Sequence, residues 1–525
     1  MEDRLALHGG AVVFAAIGIG LIARLVIGAT TTVNPDEAWQ ALLSNPPTLA
    51  GIYRRAIAAT HPPGLIYIIH ALRQISDSDL ALRLAPIVAG AIFPYFLYRW
   101  LSLVHGKCAG VVAALVLIFA PNLVALSAQA RGYTVALLFT SAALYYLERA
   151  IHEGDLRWMG LFAVSLYLGI FTEYSTAWFT AAAGLYFVLR IREPGVTARL
   201  RVAWLLTQAG AACLYAFLYF TQITYLQAEA KRPDGFLGTW YLALYPSGDF
   251  HPVEYLLRAT FWQFEYLFSS LYLGLVAFGL FAVGLLTLLW RAVLLRARPL
   301  LALAALITSP FLIAAAGAFA HIYPYTKSRH TVFLAIFIAT GVALGVDFLC
   351  RSRMVASLLL VGTLVLVWPW IALPDPHNMP RERQRREFLV EALRYLRSEI
   401  PPGSLILMED ETRLILKYYL DGRGWPPKLE RRHELIAGYR MVAMRFSFSG
   451  VNDLVEDIET ERREYGLAPE EPVWVADGGF YSALYHALVE YPKLGLALRN
   501  VRVFGDGIVI AQAPPGFEAA VRGRK

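Results

Sequence analysis

Residues Gly10–Gly28 read GAVVFAAIGIGLIARLVIG, and six residues further on comes Asn34-Pro35-Asp36-Glu37-Ala38-Trp39. A bilayer's hydrocarbon is crossed by about 20 apolar residues of helix, so the first stretch is long enough to span it. Ionised side chains inside that hydrocarbon cost about 2.5–3.5 kcal/mol each even on insertion scales. The adjacent carboxylates of Asp36 and Glu37 therefore belong to an aqueous edge or a polar cavity beside the membrane. An acidic pair in that position suggests chemistry on a molecule that itself lives in the membrane.

The rest of the chain repeats the pattern. Of its 525 residues 57% are hydrophobic and 17% charged, and the mean hydropathy is +0.49. No soluble domain needs so much apolar surface, so the chain reads as a polytopic α-helical membrane protein. The net charge of +7 does not indicate nucleic acid, because the basic residues sit in short loops between spans and form no single stripe. Cys108, Cys213 and Cys350 lie in or at the end of spans without partners at metal-ligand spacing, so neither a disulfide framework nor a zinc site is expected. An uncleaved first span is expected.

About eleven spans are expected, near 10–28, 80–99, 108–127, 132–149, 158–172, 174–190, 202–224, 268–290, 299–320, 330–349 and 354–373. Between the first two, Leu65–Leu72 is apolar but too short to cross and is followed by Arg73, so juxtamembrane or re-entrant helices are expected there. Counting that run as a span would invert every later segment. With the N-terminus cytoplasmic, Arg99, Lys107, Arg149, Arg157, Arg190, Arg192, Arg199, Arg201, Arg291, Arg296, Arg298, Arg351 and Arg353 all fall inside, as the positive-inside rule requires. The acidic motif, His61 and the C-terminal tail then fall outside.

Past Pro374 the composition changes. An amphipathic helix opening at Arg381, strands at Ser404–Met408, Val473–Ala476 and Gly507–Ala511, and a helix at Thr412–Tyr419 read as a small extracytoplasmic α/β domain. Two domains are thus expected, a transmembrane one over 1–375 and a soluble one over 376–525.

The polar residues of the outer face come from distant parts of the chain. They are Asp36, Glu37 and His61; Arg131 and Tyr133; Glu173 and Tyr174; Lys231, Arg232, Asp249, His251 and Glu254; and Tyr323, Lys327, Ser328, Arg329 and His330. Such a set suits a lipid-linked phosphate, whose headgroup calls for Arg or Lys donors and whose reacting carbon needs a nearby carboxylate to take an acceptor's proton. Each residue also has a plainer role. Asp36 can cap a helix, Glu37 can favour a helix dipole, His61 can shape an extended turn, and Arg131 and Arg329 can snorkel to headgroups.

Asn34-Pro35-Asp36-Glu37-Ala38, His61-Pro62-Pro63-Gly64 and Asp77-Ser78-Asp79-Leu80-Ala81-Leu82-Arg83-Leu84-Ala85-Pro86, in that order, resemble the N-terminal half of GT-C glycosyltransferases. The type most similar is the protein O-mannosyltransferase-like group, glycosyltransferase family 39 with its bacterial relatives, including the aminoarabinose lipid A transferases. Ala130-Arg131-Gly132-Tyr133 and Ser328-Arg329-His330 also resemble it. The resemblance implies a GT-C fold and inverting transfer of a sugar from a polyprenyl-phosphate donor to a hydroxyl of a lipid, glycan or protein acceptor. It places this at the extracytoplasmic face of the plasma (inner) membrane. It implies Asp36 as base, Glu37 in support, and His61, Arg131, Tyr133, Glu173, Tyr174, Lys327, Arg329 and His330 as substrate-binding residues. No cofactor is required, although a divalent cation is compatible with the chemistry. Glu173 stands where many relatives have His, and no Asp follows Arg131 as it does in some subgroups. The rival reading is a transporter or flippase that moves a glycolipid without transforming it; internal repeats, which such folds commonly carry, are not evident.

Overall fold

The computed structural model describes residues 8–57, 61–230, 251–351, 353–371, 385–421, 433–443, 460, 463–464, 471–479, 484, 488, 498–505 and 507–514. The chain divides into two compact units. The first comprises 1–26, 53–68 and 83–379, and the second 27–52, 69–82 and 380–525. Two pieces of the first loop, 27–52 and 69–82, group with the tail.

The membrane part runs α1 (Gly9–Thr30), then three short helices α2 (Pro35–Leu43), α3 (Leu49–Ala56) and α4 (Gly64–Arg73), then α5 (Asp79–Val104), α6 (Lys107–Phe119) and α7 (Pro121–Ser127). It continues through α8 (Tyr133–Glu153), α9 (Leu156–Thr172), α10 (Thr176–Leu189), α11 (Ala198–Leu218), a π turn (Tyr219–Ile223) and α12 (Thr224–Ala230). After these come α13 (Pro252–Phe268), α14 (Leu271–Leu294), α15 (Arg298–Phe319), a 3-10 turn (Arg329–Leu334), α16 (Ala335–Leu349) and α17 (Met354–Ile371). Each expected span falls on helix within the described residues, and the last two positions of the eleventh, 372–373, lie outside them. Among the described residues six helices are long and apolar enough to cross, or seven if α6 and α7, bent by 60° at the break between them, form one span; several others are shorter apolar helices. The protein is a multi-pass membrane protein.

The first unit is held by features suited to lipid. Arg24, the single charge of α1, is buried and donates to Ser127 Oγ at 2.8 Å, to the Gly20 carbonyl at 3.0 Å and to the Ile118 carbonyl at 3.1 Å. A guanidinium so satisfied is tolerated at that depth. Between α14 and α16 the backbones touch at Gly284, Gly341 and Gly345, leaving no room for a β-carbon; small residues allow this close approach, which gives dispersion contact where no hydrophobic drive exists.

In the second unit, α18 (Arg386–Glu399), β1 (Leu405–Met408), α19 (Asp410–Leu420), β2 (His433–Ile436), β3 (Tyr439–Ala443), β4 (Val473–Gly478), β5 (Arg499–Phe504) and β6 (Ile508–Ala513) make an α/β fold. The sheet order is β2-β3-β1-β4-β6-β5. β1 runs parallel to β3 and β4, and the outer pairings are antiparallel. β1 is buried along its length, as a central parallel strand should be. The expected start of α18 at Arg381 lies outside the described residues.

First-loop segments are woven into this unit. The hydroxyls of Tyr418 and Tyr419 donate to Asp79 at 3.1 and 2.9 Å, and Arg386 pairs with it at 3.4 Å. Val33 N–H donates to Tyr419 at 3.1 Å. α19 packs on α2. Arg73 donates to the Ala41 carbonyl at 2.7 Å, and His70 Nδ1 lies 2.8 Å from the Ser44 carbonyl. Residues before and after α4 thus meet the same tail domain, so α4 does not cross the bilayer. An even number of crossings must also separate Asp79 from Arg386.

Candidate functional site

In the second unit, Asn34 caps α2 and Pro35 occupies its first turn, where a missing N–H costs nothing. Asn34 Oδ1 accepts from Glu37 N–H at 3.0 Å, while Glu37 Oε2 accepts from Asn34 N–H at 2.9 Å. This capping box buries Glu37 completely and commits one of its oxygens to the backbone. Asn34 takes the capping role that Asp36 could have filled, and Asp36 sits half-buried in the first helical turn.

The tail brings further acids to this neighbourhood. Glu409 follows β1 as the cap residue of α19, and Asp410 and Glu411 open that helix. Glu409 is 2% exposed, and neither carboxyl oxygen has a partner among the described residues. Burial, with Asp477 and Glu411 adding their charge, pushes its carboxyl up to about 9. Burial also raises Glu411, partly offset by a backbone hydrogen bond, and the charges of Asp410, Asp36 and Asp477 add to it. Asp477 at the end of β4 accepts from Gly479 and Leu484 N–H at 2.8 and 2.9 Å. Among the described residues no group of three or more His, Cys, Asp and Glu is arranged to hold a metal ion.

The first unit assembles most of the other residues singled out. A β-carbon on Gly64 would lie 2.5 Å from the Phe171 carbonyl oxygen. Only glycine lets the His61-Pro62-Pro63-Gly64 turn press against the end of α9. There His61 Nδ1 meets Glu173 Oε2 at 3.0 Å, and both side chains are buried. The far nitrogen, Nε2, has no partner among the described residues. Gly132 also approaches this end of α9, its β-carbon position 3.1 Å from the Thr172 carbonyl.

Tyr133 stands edge-on to His61, with ring centres 5.6 Å apart, and to His330 at 6.4 Å. Arg131 is buried, stacks on the Tyr133 ring at 5.4 Å and donates to its hydroxyl at 3.2 Å. It does not snorkel; it is a fixed cation. The 3-10 turn carries His330, whose carbonyl accepts from Tyr323 at 2.8 Å. Tyr174 donates to Gln222 Oε1 at 2.7 Å, and the Tyr215 hydroxyl donates to the Tyr174 carbonyl. Lys327 is exposed and pairs with Glu265 at 2.9 Å; Arg329 is half-buried at the start of the 3-10 turn. Lys231, Arg232 and Asp249 lie outside the described residues.

The structure thus brings His61, Glu173, Tyr133, Arg131 and His330 together, with Tyr174 beside Glu173, and it places Asp36 and Glu37 in the other unit. Sequence reasoning passed over Gln222 and the run Glu409-Asp410-Glu411. Gln222 was detectable as a polar residue inside an apolar span; the acidic run became notable only through its burial.

The sequence model of the dolichyl-phosphate-mannose-protein mannosyltransferase family matches residues 60–220. No curated protein matches the chain. Among solved structures, ArnT from Cupriavidus metallidurans bound to undecaprenyl phosphate superposes with a TM-score of 0.52 at 14% identity, covering 96% of this chain and 98% of that one. The archaeal oligosaccharyltransferase AglB from Archaeoglobus fulgidus, in complex with an inhibitory peptide and a dolichol-phosphate, gives 0.51 at 12% identity over 90% of this chain and 71% of that one. The fold is the GT-C glycosyltransferase fold. The chain shares it across both its helical and its sheet-bearing parts.

Proposed function

We propose that the protein transfers a sugar from a polyprenyl-phosphate donor to an acceptor hydroxyl, at the extracytoplasmic face of the plasma membrane and with inversion. What carries this reading is likeness of fold, over nearly the whole of both chains, to an enzyme bound to undecaprenyl phosphate. The family match over 60–220 supports it, since that stretch holds His61, Arg131, Tyr133, Glu173 and Tyr174.

In this reading Asp36 takes the acceptor's proton as its oxygen attacks the anomeric carbon, and the bond to the phosphate oxygen breaks on the opposite side. Glu37 supports the site by fixing the turn that presents Asp36, through its capping box. Within the first unit, Arg131, held on Tyr133, offers guanidinium N–H groups to a lipid-linked phosphate, and His330 stands edge-on to the same ring. A dialkyl phosphate leaves readily as its monoester, so strong acid catalysis is not needed. Lys327 and Arg329 offer positive charge at the mouth of the 3-10 turn.

The test uses purified full-length Asp36→Asn protein in nanodiscs, with sugar release followed from undecaprenyl-phosphate sugars. Loss of a general base predicts a fall of about 10²–10⁴-fold in turnover with donor binding retained. Wild-type turnover in the variant removes Asp36 from the reaction, and a wild type that binds no polyprenyl-phosphate lipid overturns the function.

A further inference from the structure

The buried stripe of α11 runs through Leu200, Thr207, Ala211 and Leu218 and continues to Gln222 in the π turn. Phe220 beside it is 74% exposed, as a lipid-facing residue should be, whereas Gln222 is fully buried. From Ala198 to Gln222 the helix advances about 36 Å at 1.5 Å per residue. That exceeds a hydrocarbon thickness of about 30 Å, so Gln222 lies at the face opposite Arg199 and Arg201. π turns inside helices gather at functional sites. This one is pinned by Tyr53, whose hydroxyl lies 2.6 Å from Thr221 Oγ1.

Gln222 spends its oxygen on the Tyr174 hydroxyl, and its amide nitrogen is buried without a partner among the described residues. His61 shows the same condition, with Nδ1 on Glu173 and Nε2 unpartnered. Adjacent residues, Glu173 and Tyr174, therefore each fix one buried side chain and leave one of its nitrogens open. Buried polar atoms without partners are rare in folded proteins, and a ligand is one thing that completes them. With Nδ1 on Glu173, the imidazole leaves Nε2 open, which accepts or donates according to the tautomer, while the glutamine amide presents N–H donors. A hydroxyl group both donates and accepts, so it complements the open ring nitrogen and the amide alike. The nearby carboxylate of Glu173 disfavours an anion.

The geometry points to a hydroxyl-recognising subsite, formed by Gln222 and His61 and oriented by Glu173–Tyr174, that takes the sugar of the donor and not its phosphate. It rests on the reading of the chain as a polyprenyl-phosphate-sugar transferase and names which part of that donor this wall recognises.

Binding is measured on the full-length protein in nanodiscs with two kinds of probe: bare undecaprenyl phosphate, and undecaprenyl phosphate carrying glucose, mannose or arabinose. The wild type should bind one of the sugar-bearing lipids about tenfold more tightly than the bare lipid, the effect of one or two well-made hydrogen bonds. Gln222→Leu, similar in volume and compatible with lipid surroundings, should erase that margin and leave the affinity for bare lipid intact. Tyr174→Phe, which keeps Gln222 but frees it, should shrink the margin about threefold. Equal losses for both kinds of lipid in Gln222→Leu would assign the wall to phosphate or to packing and overturn the subsite. A margin that survives in that variant, or is absent from the wild type while bare lipid still binds, overturns the subsite alone. Failure of the wild type to bind any of these lipids overturns the transferase reading with it.

Discussion

Gly64 shows how a single residue sets the geometry of the imidazole–carboxylate pair. Its missing β-carbon would sit 2.5 Å from the Phe171 carbonyl oxygen and 3.1 Å from Thr172 Oγ1. The first of these is backbone, which cannot yield as a flexible side chain would. Overpacking of this kind costs about 1–3 kcal/mol, and here the displacement also pulls His61 away from Glu173. Gly64→Ala should therefore lower the thermal midpoint and reduce sugar release from the lipid donor. Gly132→Ala, whose nearest contact is 3.1 Å, should do less of both. Equal melting curves and turnover for Gly64→Ala and wild type would mean the turn adjusts freely and does not fix His61.

Among the elements, the carboxyl ends of the parallel strands β1 and β4 carry a built-in strain. Glu409 leaves β1 into a buried position beside Asp477 and Glu411 with no partner for its oxygens among the described residues. Unfolded, such a carboxyl loses its proton near pH 4.3, to within about half a unit. Folded, burial first and the neighbouring acids second push it up to about 9. Between those values the folded chain holds a proton that the unfolded chain has released, so stability falls as pH rises through that window and is level above it. Glu409→Gln should raise the melting temperature at pH 7.5 by about 5 °C and flatten that slope. A slope identical to wild type would show Glu409 ionised in the folded chain. The sequence reading located β1, β4, β6 and α19 from apolar runs, but it passed over β2, β3 and β5. β2 and β5 are mostly exposed, so no apolar alternation marks them.

At the scale of the whole molecule, parity of crossings follows from hydrogen bonds within the second unit. Tyr418 and Tyr419 reach Asp79, and α19 packs on α2, so the first loop and the tail share one side. Ala50 and Ser398 are both exposed within that unit. Introduced singly as cysteines, in a chain whose own three cysteines are replaced, both should react with a membrane-impermeant maleimide added outside intact cells. Labelling of both only after permeabilisation would reverse the proposed orientation and move the reaction to the cytoplasm. Labelling of one alone would contradict the shared unit itself.

Periodicity located the apolar helices, their approximate ends and the existence of an α/β tail, because apolar length is a local property of a chain meeting a bilayer. The order of the three early motifs was likewise legible before any fold. Tertiary structure alone decided that Glu173 pairs with His61 across 112 positions of chain, and that Gln222 ends a buried stripe on Tyr174. It also decided that the first loop folds with the tail. Each of these depends on two segments that carry no mark of one another and meet only when packing brings backbones within hydrogen-bonding distance.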